Sequence, residues 1–400
     1  MRSRLAVLSF SISAALLGAC AHVPLTLEGS RADAQVSATV SARSAVARTA
    51  ADSAPVAARA RADSAHTFFY FGKDYGSESQ YNPLTVVLND GFDILQISGS
   101  DNRVFKFDYV GSFTNVARAL SHPFHDIREF GTSKFLTHEI FPLSGAPDGG
   151  QWEPNYTEHL IGGGMQVART KEWYIAHEYK HPLIWTSVTV AASRFLNETM
   201  ENGTWRGPGT DPIADLYVFD LGGALLFTNE RVEKFFSHTL NLTSWSGQPS
   251  IDPADGRLFD VYTSWSFKVK LPYVKRVSFF GYNGENPLAG LSYRTEKGDA
   301  FSAGYGATVT DLVVVDSINN RKGVHVRPSA GFFWDRNGSL MVSAVYAERP
   351  YHLSVNIYPH VIHIGRLSPG FWMQLPTEGG VRLGLAGTLL PGLIKTFGNR

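Results

Sequence analysis

Across 400 residues the sequence has a single cysteine, Cys20, so no disulfide can form within the chain. The fold must therefore be held by burial and hydrogen bonding alone, and an oxidising compartment adds nothing to its stability. It also lacks an excess of either charge: 36 Lys and Arg balance 36 Asp and Glu, and loss of Arg2 and Arg4 with residues 1–19 would leave the rest only slightly acidic. Without a basic field there is nothing to concentrate a polyanion, which excludes nucleic acid as a partner. No long apolar run stands out after the first twenty residues; the stretch Leu183 to Leu196 covers only about fourteen residues and reads as a buried core helix rather than a membrane span. A phosphate loop, a dinucleotide fingerprint and a Gly-x-Ser-x-Gly elbow are all missing, and no repeat of fixed period runs along the chain. Aromatic residues are absent from positions 21 to 65, where Ala, Ser, Arg, Val and Asp dominate. Such a segment has too little apolar area to offset the entropy of ordering, so residues 20–66 are expected to act as a tether.

What is present begins at the N-terminus. Arg2 and Arg4 precede an apolar run from Leu5 to Leu17, followed by Gly18, Ala19 and Cys20. A basic start, a short apolar stretch and small residues before a cut site describe a signal peptide over residues 1–19. The run Leu17-Gly18-Ala19-Cys20 resembles the lipobox of bacterial lipoproteins. That resemblance implies lipidation of the Cys20 thiol and anchoring of the mature chain to the membrane by its N-terminal lipid. Ala21, standing where aspartate would mark inner-membrane retention, implies the outer membrane, with the folded part facing the periplasm.

The composition changes at Thr67-Phe68-Phe69-Tyr70-Phe71. From there to about 256 the apolar spacing is helical, with helices expected near 83–95, 113–120, 130–141, 155–167, 183–201 and 212–227. Asn82-Pro83 and Asp211-Pro212 both read as an N-cap followed by proline. From 257 to 400 the period becomes two, with strands expected near 266–271, 288–293, 300–307, 324–334, 339–347, 352–358, 370–375 and 380–386, separated by hairpin-like segments such as Asp335-Arg336-Asn337-Gly338. The expected fold is α+β: a helical subdomain over 67–256, then an antiparallel β-barrel or sandwich of about eight strands over 257–400. With Trp, Tyr and Phe at 12% of the chain, the alternation suits either a packed core or a small outer-membrane barrel.

Two constellations carry chemistry. His177-Glu178-Tyr179-Lys180-His181 fits the H-E-x-x-H pattern, in which two histidines one helical turn apart bind Zn²⁺ and the glutamate polarises the metal-bound water, with Glu198 or Glu201 as third ligand. Pro182 and Lys180 depart from that pattern, because proline after His181 ends the helix at or before this ligand. The second is Asn155 and His159 before Gly162-Gly163-Gly164, with Arg194, Asn197, Glu198 and Glu201 on the next helix and Asp211 and Asp215 on the last. These helices are expected to bring His159, Arg194, Glu198 and Asp215 together, either as a satisfied buried network or as a pocket, with the glycines admitting a neighbouring helix. His122, His125 and Asp126, and likewise His138 and Glu139, are expected in loops, and His360 and His363 on opposite faces of a strand.

The block Trp152-Glu153-Pro154-Asn155-Tyr156, then His159-Leu160-Ile161-Gly162-Gly163-Gly164-Met165, Glu172-Trp173-Tyr174, Leu196-Asn197-Glu198 and Asp211-Pro212-Ile213-Ala214-Asp215-Leu216 resembles an uncharacterised class of Gram-negative envelope lipoproteins with strand-rich C-terminal halves. The resemblance implies no established activity, and it places the second constellation ahead of the first. The resulting expectation is an envelope protein without a cofactor that binds a lipid or an envelope protein. The alternatives are a zinc-dependent metallohydrolase using His177, Glu178 and His181, and a membrane-interface enzyme using His159 and Glu198.

Overall fold

The computed structural model describes residues 67–97, 102–142, 152–284, 286–316, 321–388 and 390–398. The signal peptide, Cys20 and the tether of residues 20–66 lie outside them. Residues 67–400 make one compact unit, an α+β fold of helices followed by a large mixed sheet.

The helices are α1 (Pro83–Gly91), α2 (Tyr109–Ser121), α3 (Pro123–Phe130), α4 (Thr132–Phe135), α5 (Gly164–Ala176), α6 (Pro182–Asn202), α7 (Thr210–Ala214), α8 (Leu221–Leu226) and α9 (Glu230–Lys234). Asn82 caps α1 as expected: its side chain accepts from the amides of Leu84 and Thr85, and Pro83 follows at the first helical position. The helix expected at 212–227 starts earlier, at Thr210, with Gly209 rather than Asp211 at the cap. The helix expected at 130–141 is interrupted by Gly131, whose φ of 102 ends α3. His125 and Asp126 lie on α3 rather than in a loop, and His138 and Glu139 lie in a π-helical turn, Leu136–Ile140. Two longer π-helical segments run into α-helices: Glu153–Gly163 leads into α5, and Asp215–Asp220 joins α7 to α8. α6 is the central post, packed by α1, α2 and α5.

The strands form one 13-stranded sheet, more than the eight or so expected. They are β1 (Thr243–Ser246), β2 (Ser250–Ile251), β3 (Leu258–Phe259), β4 (Thr263–Lys270), β5 (Val277–Asn283), β6 (Leu288–Arg294), β7 (Asp299–Asp316), β8 (Arg321–Arg336), β9 (Ser339–Ala347), β10 (Tyr351–Ile357), β11 (Gly370–Pro376), β12 (Val381–Ala386) and β13 (Gly392–Phe397). The order is β1-β4-β5 and onward in sequence to β13, then β2-β3, so β1 and β3 are the ends of an open sheet. Neighbours are antiparallel except for β13 with β2, which makes the sheet mixed rather than wholly antiparallel. Strands therefore begin at Thr243, ahead of the 257 boundary read from the alternation. His360 and His363 follow β10 in a loop, with ring centroids 6.0 Å apart, instead of lying on a strand.

Between β8 and β9, Asn337 and Gly338 take φ of 49 and 89, the positive pair that a two-residue hairpin turn needs. On the buried side of the sheet Trp245, Phe280, Tyr282 and Phe333 pack ring against ring, with Trp245 and Phe333 stacked at 5.6 Å. The turn Gly76–Gln80 fastens the helical region to β9: the Glu78 amide donates to Ser339 Oγ at 3.1 Å and the Leu340 amide to Ser77 Oγ at 3.1 Å.

Candidate functional site: a buried acid–histidine centre

His159 comes from the π-helical segment 153–163, Arg194 and Glu198 from α6, and Asp215 and Asp220 from the π-helical segment 215–220. These elements approach closely because glycine stands where they cross. A Cβ at Gly223 would lie 2.4 Å from the Leu160 carbonyl oxygen, and one at Gly164 only 2.7 Å from that of Gly223. Gly163 faces the Arg194 guanidinium and the Asp220 carboxylate, each slightly over 3 Å from where its Cβ would be. The triple glycine thus sets the backbone separation that lets the charged groups meet.

His159, Arg194, Glu198 and Asp215 are all buried, and they converge as the sequence suggested. His159 Nδ1 lies 3.0 Å from Asp220 Oδ1, and its Nε2 lies 3.7 Å from Asp215 Oδ2. Arg194 reaches Asp90 Oδ1 at 3.1 Å, Asp220 Oδ1 at 3.6 Å and Gln166 Oε1 at 3.4 Å. Asn202 donates to Glu198 Oε2 at 3.1 Å, and Asn197 to Asp93 Oδ1 at 2.6 Å. Asn155 does not join them: its amide donates to the Glu139 carbonyl at 2.9 Å. Asp220, Asp90 and Gln166 complete the centre and were not singled out from the sequence.

Burial, and after it the negative charges of Glu198, Asp211, Asp220 and Glu201, push the Asp215 carboxyl well above the ordinary carboxylate range. Asp90 is raised mainly by burial, against the pull of Arg194. For Arg194 burial acts to lower the pKa, but Asp90, Asp220, Asp93 and Glu158 outweigh it and hold the guanidinium charged. Asp215 Oδ1 and Asp220 Oδ2 are buried without a hydrogen-bond partner among the described residues. The arrangement offers a histidine oriented by one carboxylate and aimed at another, inside a low-dielectric shell.

No family model, curated protein or solved structure matches this chain. The centre must therefore be understood from its own geometry.

The H-E-x-x-H segment is built differently from a zinc helix. α5 ends at Ala176, Glu178 and His181 have φ of 57 and 60, and Pro182 opens α6. His177 stacks on Trp173 at 3.9 Å and its Nδ1 donates to the Trp173 carbonyl oxygen at 2.8 Å. The two histidines do not share a helical face. Among the described residues, the buried set of ligand atoms within 4.8 Å of one another that includes Glu198 is His159, Glu198 and Asp215, not His177, His181 and Glu198. A second set, His125, Asp126 and Glu129, has two exposed members, and its Asp126 is already engaged by Arg118 at 3.2 Å and the Gly209 amide at 2.9 Å.

A second buried ion pair, Arg169 with Glu78 at 2.7 Å, lies under the start of the described chain. Beside it Glu172 accepts the amides of Phe68, Phe69 and Tyr70 at 2.7 to 2.8 Å. Glu172 belongs to the motif Glu172-Trp173-Tyr174, and this gives it a structural purpose in fixing residues 68–70.

A cleft of about 450 Å³ opens beside α1, between Leu88, Phe92, Val104, Phe105, Ile251 and Leu258. Its wall is almost wholly apolar.

Proposed function

We propose that the protein sits in an envelope membrane with the outer face of its strands against lipid, and that it binds a lipid there. One observation carries this reading: the outer face of the strands is rich in apolar and aromatic side chains, while the inner face holds buried polar residues beside the Trp245–Phe333 cluster. Ser292, Ser302, Thr308, Ser329, Ser343, Asn356 and Gln374 are buried, while Leu291, Tyr293, Phe301, Tyr305, Phe332, Tyr346, Leu383, Leu385 and Leu393 are exposed. A sheet in water keeps its outer face mostly polar; a strand wall in a bilayer turns an apolar band outward and gathers aromatic residues near its rims.

The barrel form of the expected fold fits this arrangement. β1 continues through 247–249 into β2, and β3 through 260–262 into β4, so both ends of the open sheet lie on one two-stranded ribbon. The ribbon is tied together between its strands, by Gly247 N to Tyr262 O at 3.0 Å and Gln248 N to Asp260 Oδ2 at 2.8 Å. Wrapping the sheet onto that ribbon leaves little unpaired edge, as a wall in lipid requires. The space enclosed by Asp260, Tyr262, Tyr351, Ser354 and Asn356 is only about 20 Å³. That holds about one water molecule, so an open channel at this level is not part of the proposal. Acylation of Cys20 would place the same chain at the outer membrane, and the apolar cleft beside α1 suits an acyl chain.

Leu291 is 56% exposed at the middle of β6, and Leu291→Arg tests the reading. In lipid vesicles the substitution is expected to cost about 2–4 kcal/mol of unfolding free energy. A change within about 0.5 kcal/mol, normal for a water-facing site, would count against lipid contact.

The membrane-interface enzyme using His159 and Glu198 remains the second reading. It is favoured by α6, which buries Arg194 and Glu198 but exposes Leu183, Ile184, Trp185 and Val188 on its outer side.

A further inference from the structure

We propose that His159, Glu198 and Asp215 bind Zn²⁺ inside the helical region. The ligand atoms of the three residues lie within 4.8 Å of one another, and all three residues are buried. They come from separate elements, so their meeting is a product of the fold and not of local sequence.

The histidine is already set for the task. Its Nδ1 lies 3.0 Å from Asp220 Oδ1, so a neutral ring that donates there presents its Nε2 lone pair toward Asp215 Oδ2, 3.7 Å away. That gap is too long for a hydrogen bond. Donors about 2.1 Å from a tetrahedral ion stand about 3.4 Å apart, so a zinc ion fits between them with small adjustment. Asp215 Oδ1 has no hydrogen-bond partner among the described residues, and the carboxylate is 4% exposed. Arg194 Nε stands 3.6 Å from the same Asp220 oxygen, so the set includes an outer carboxylate, itself beside a cation, that orients a metal-bound histidine. One nitrogen and two carboxylates suit Zn²⁺ or Mn²⁺ better than Ca²⁺, which seeks six to eight oxygens. Three protein ligands leave a fourth position for water.

The test uses the full chain in detergent, stripped with a chelator and dialysed against Zn²⁺ or, separately, Mn²⁺. Stoichiometric zinc by elemental analysis and a higher melting temperature on loading are expected. Asp215→Asn, close in shape and permanently neutral, should fold, melt at or above the stripped parent and retain no zinc. Asp220→Asn should weaken zinc binding by about 10- to 100-fold, while His177→Ala should leave it unchanged. The proposal is overturned if the loaded parent holds no zinc, if manganese binds and zinc does not, if Asp215→Asn retains zinc, or if His177→Ala loses it. Because the readout is metal content, failure here leaves the membrane reading intact, and failure of the Leu291→Arg test leaves this one intact.

Discussion

Replacing Arg194 with methionine is expected to destabilise the folded chain by about 3–5 kcal/mol. Methionine keeps the aliphatic stem and removes the charge, so packing is largely spared and the loss is electrostatic. Arg194 stands between Asp90 at 3.1 Å and Asp220 at 3.6 Å, and its side chain is only 8% exposed. Water therefore cannot replace it, and each carboxylate must protonate or remain uncompensated. Intrinsic tryptophan fluorescence during thermal unfolding reads the effect. Arg194→Lys restores a charge but not the planar fork, so it should recover part of the loss. An unchanged melting temperature in Arg194→Met would mean that the centre does not depend on this cation.

The pH profile should run opposite to that of a protein stabilised by ionised carboxylates. Asp260 is buried at the start of the segment leading into β4; burial pushes its carboxyl up to about 7, against the Gln248 amide and the Asn356 side chain, which favour the charged form. Tyr262 and Tyr358, its titratable neighbours, are themselves raised well above the ordinary tyrosine value by burial first. A carboxyl whose folded pKa lies above its unfolded one binds more protons in the fold. Its contribution is therefore fully present below the ordinary value of 3.8 and is lost as the pH rises through about 7. That gap corresponds to about 4 kcal/mol. Chemical unfolding at pH 5 and pH 8 should thus find the chain more stable at the lower pH. Asp260→Asn, neutral at both, should remove the share that Asp260 contributes, while the raised carboxyls of Asp90 and Asp215 keep the remainder. Equal stabilities for the parent at the two pH values would mean that Asp260 is solvated.

The features that could be read from the sequence were local ones. The hairpin at Asn337-Gly338 was readable because only a few residues accept two successive positive φ values. β5 was missed: Val-Ser-Phe-Phe-Gly-Tyr-Asn places aromatic residues on both faces, so a period of two does not stand out. β2 and β3, two residues each, owe their strand character to pairing with distant chain rather than to any pattern of their own. At the centre, His159, Arg194, Glu198 and Asp215 could be named in advance, but Asp220 could not. On an α-helix it would lie about 140° round from Asp215. The π-helical segment 215–220, with its wider turn, returns residue i+5 to the same side. Asp90 was hidden for another reason: it lies on α1, far along the chain from α6, and only the packing of the two helices joins it to Arg194. The exposed apolar face of the strands was visible as alternation, yet alternation alone does not say which face is inside.

That face is best tested along β7. A nitroxide label is attached to one introduced cysteine at a time, at positions 301 to 306, in a chain carrying Cys20→Ser and reconstituted in lipid vesicles. Phe301, Ala303 and Tyr305 are exposed, whereas Ser302 is buried and Gly304 and Gly306 are partly covered. If lipid covers the outer face, labels at 301, 303 and 305 will be relaxed by oxygen and shielded from a water-soluble nickel chelate. If the nickel chelate reaches those three positions freely, the strands face water and the membrane account fails.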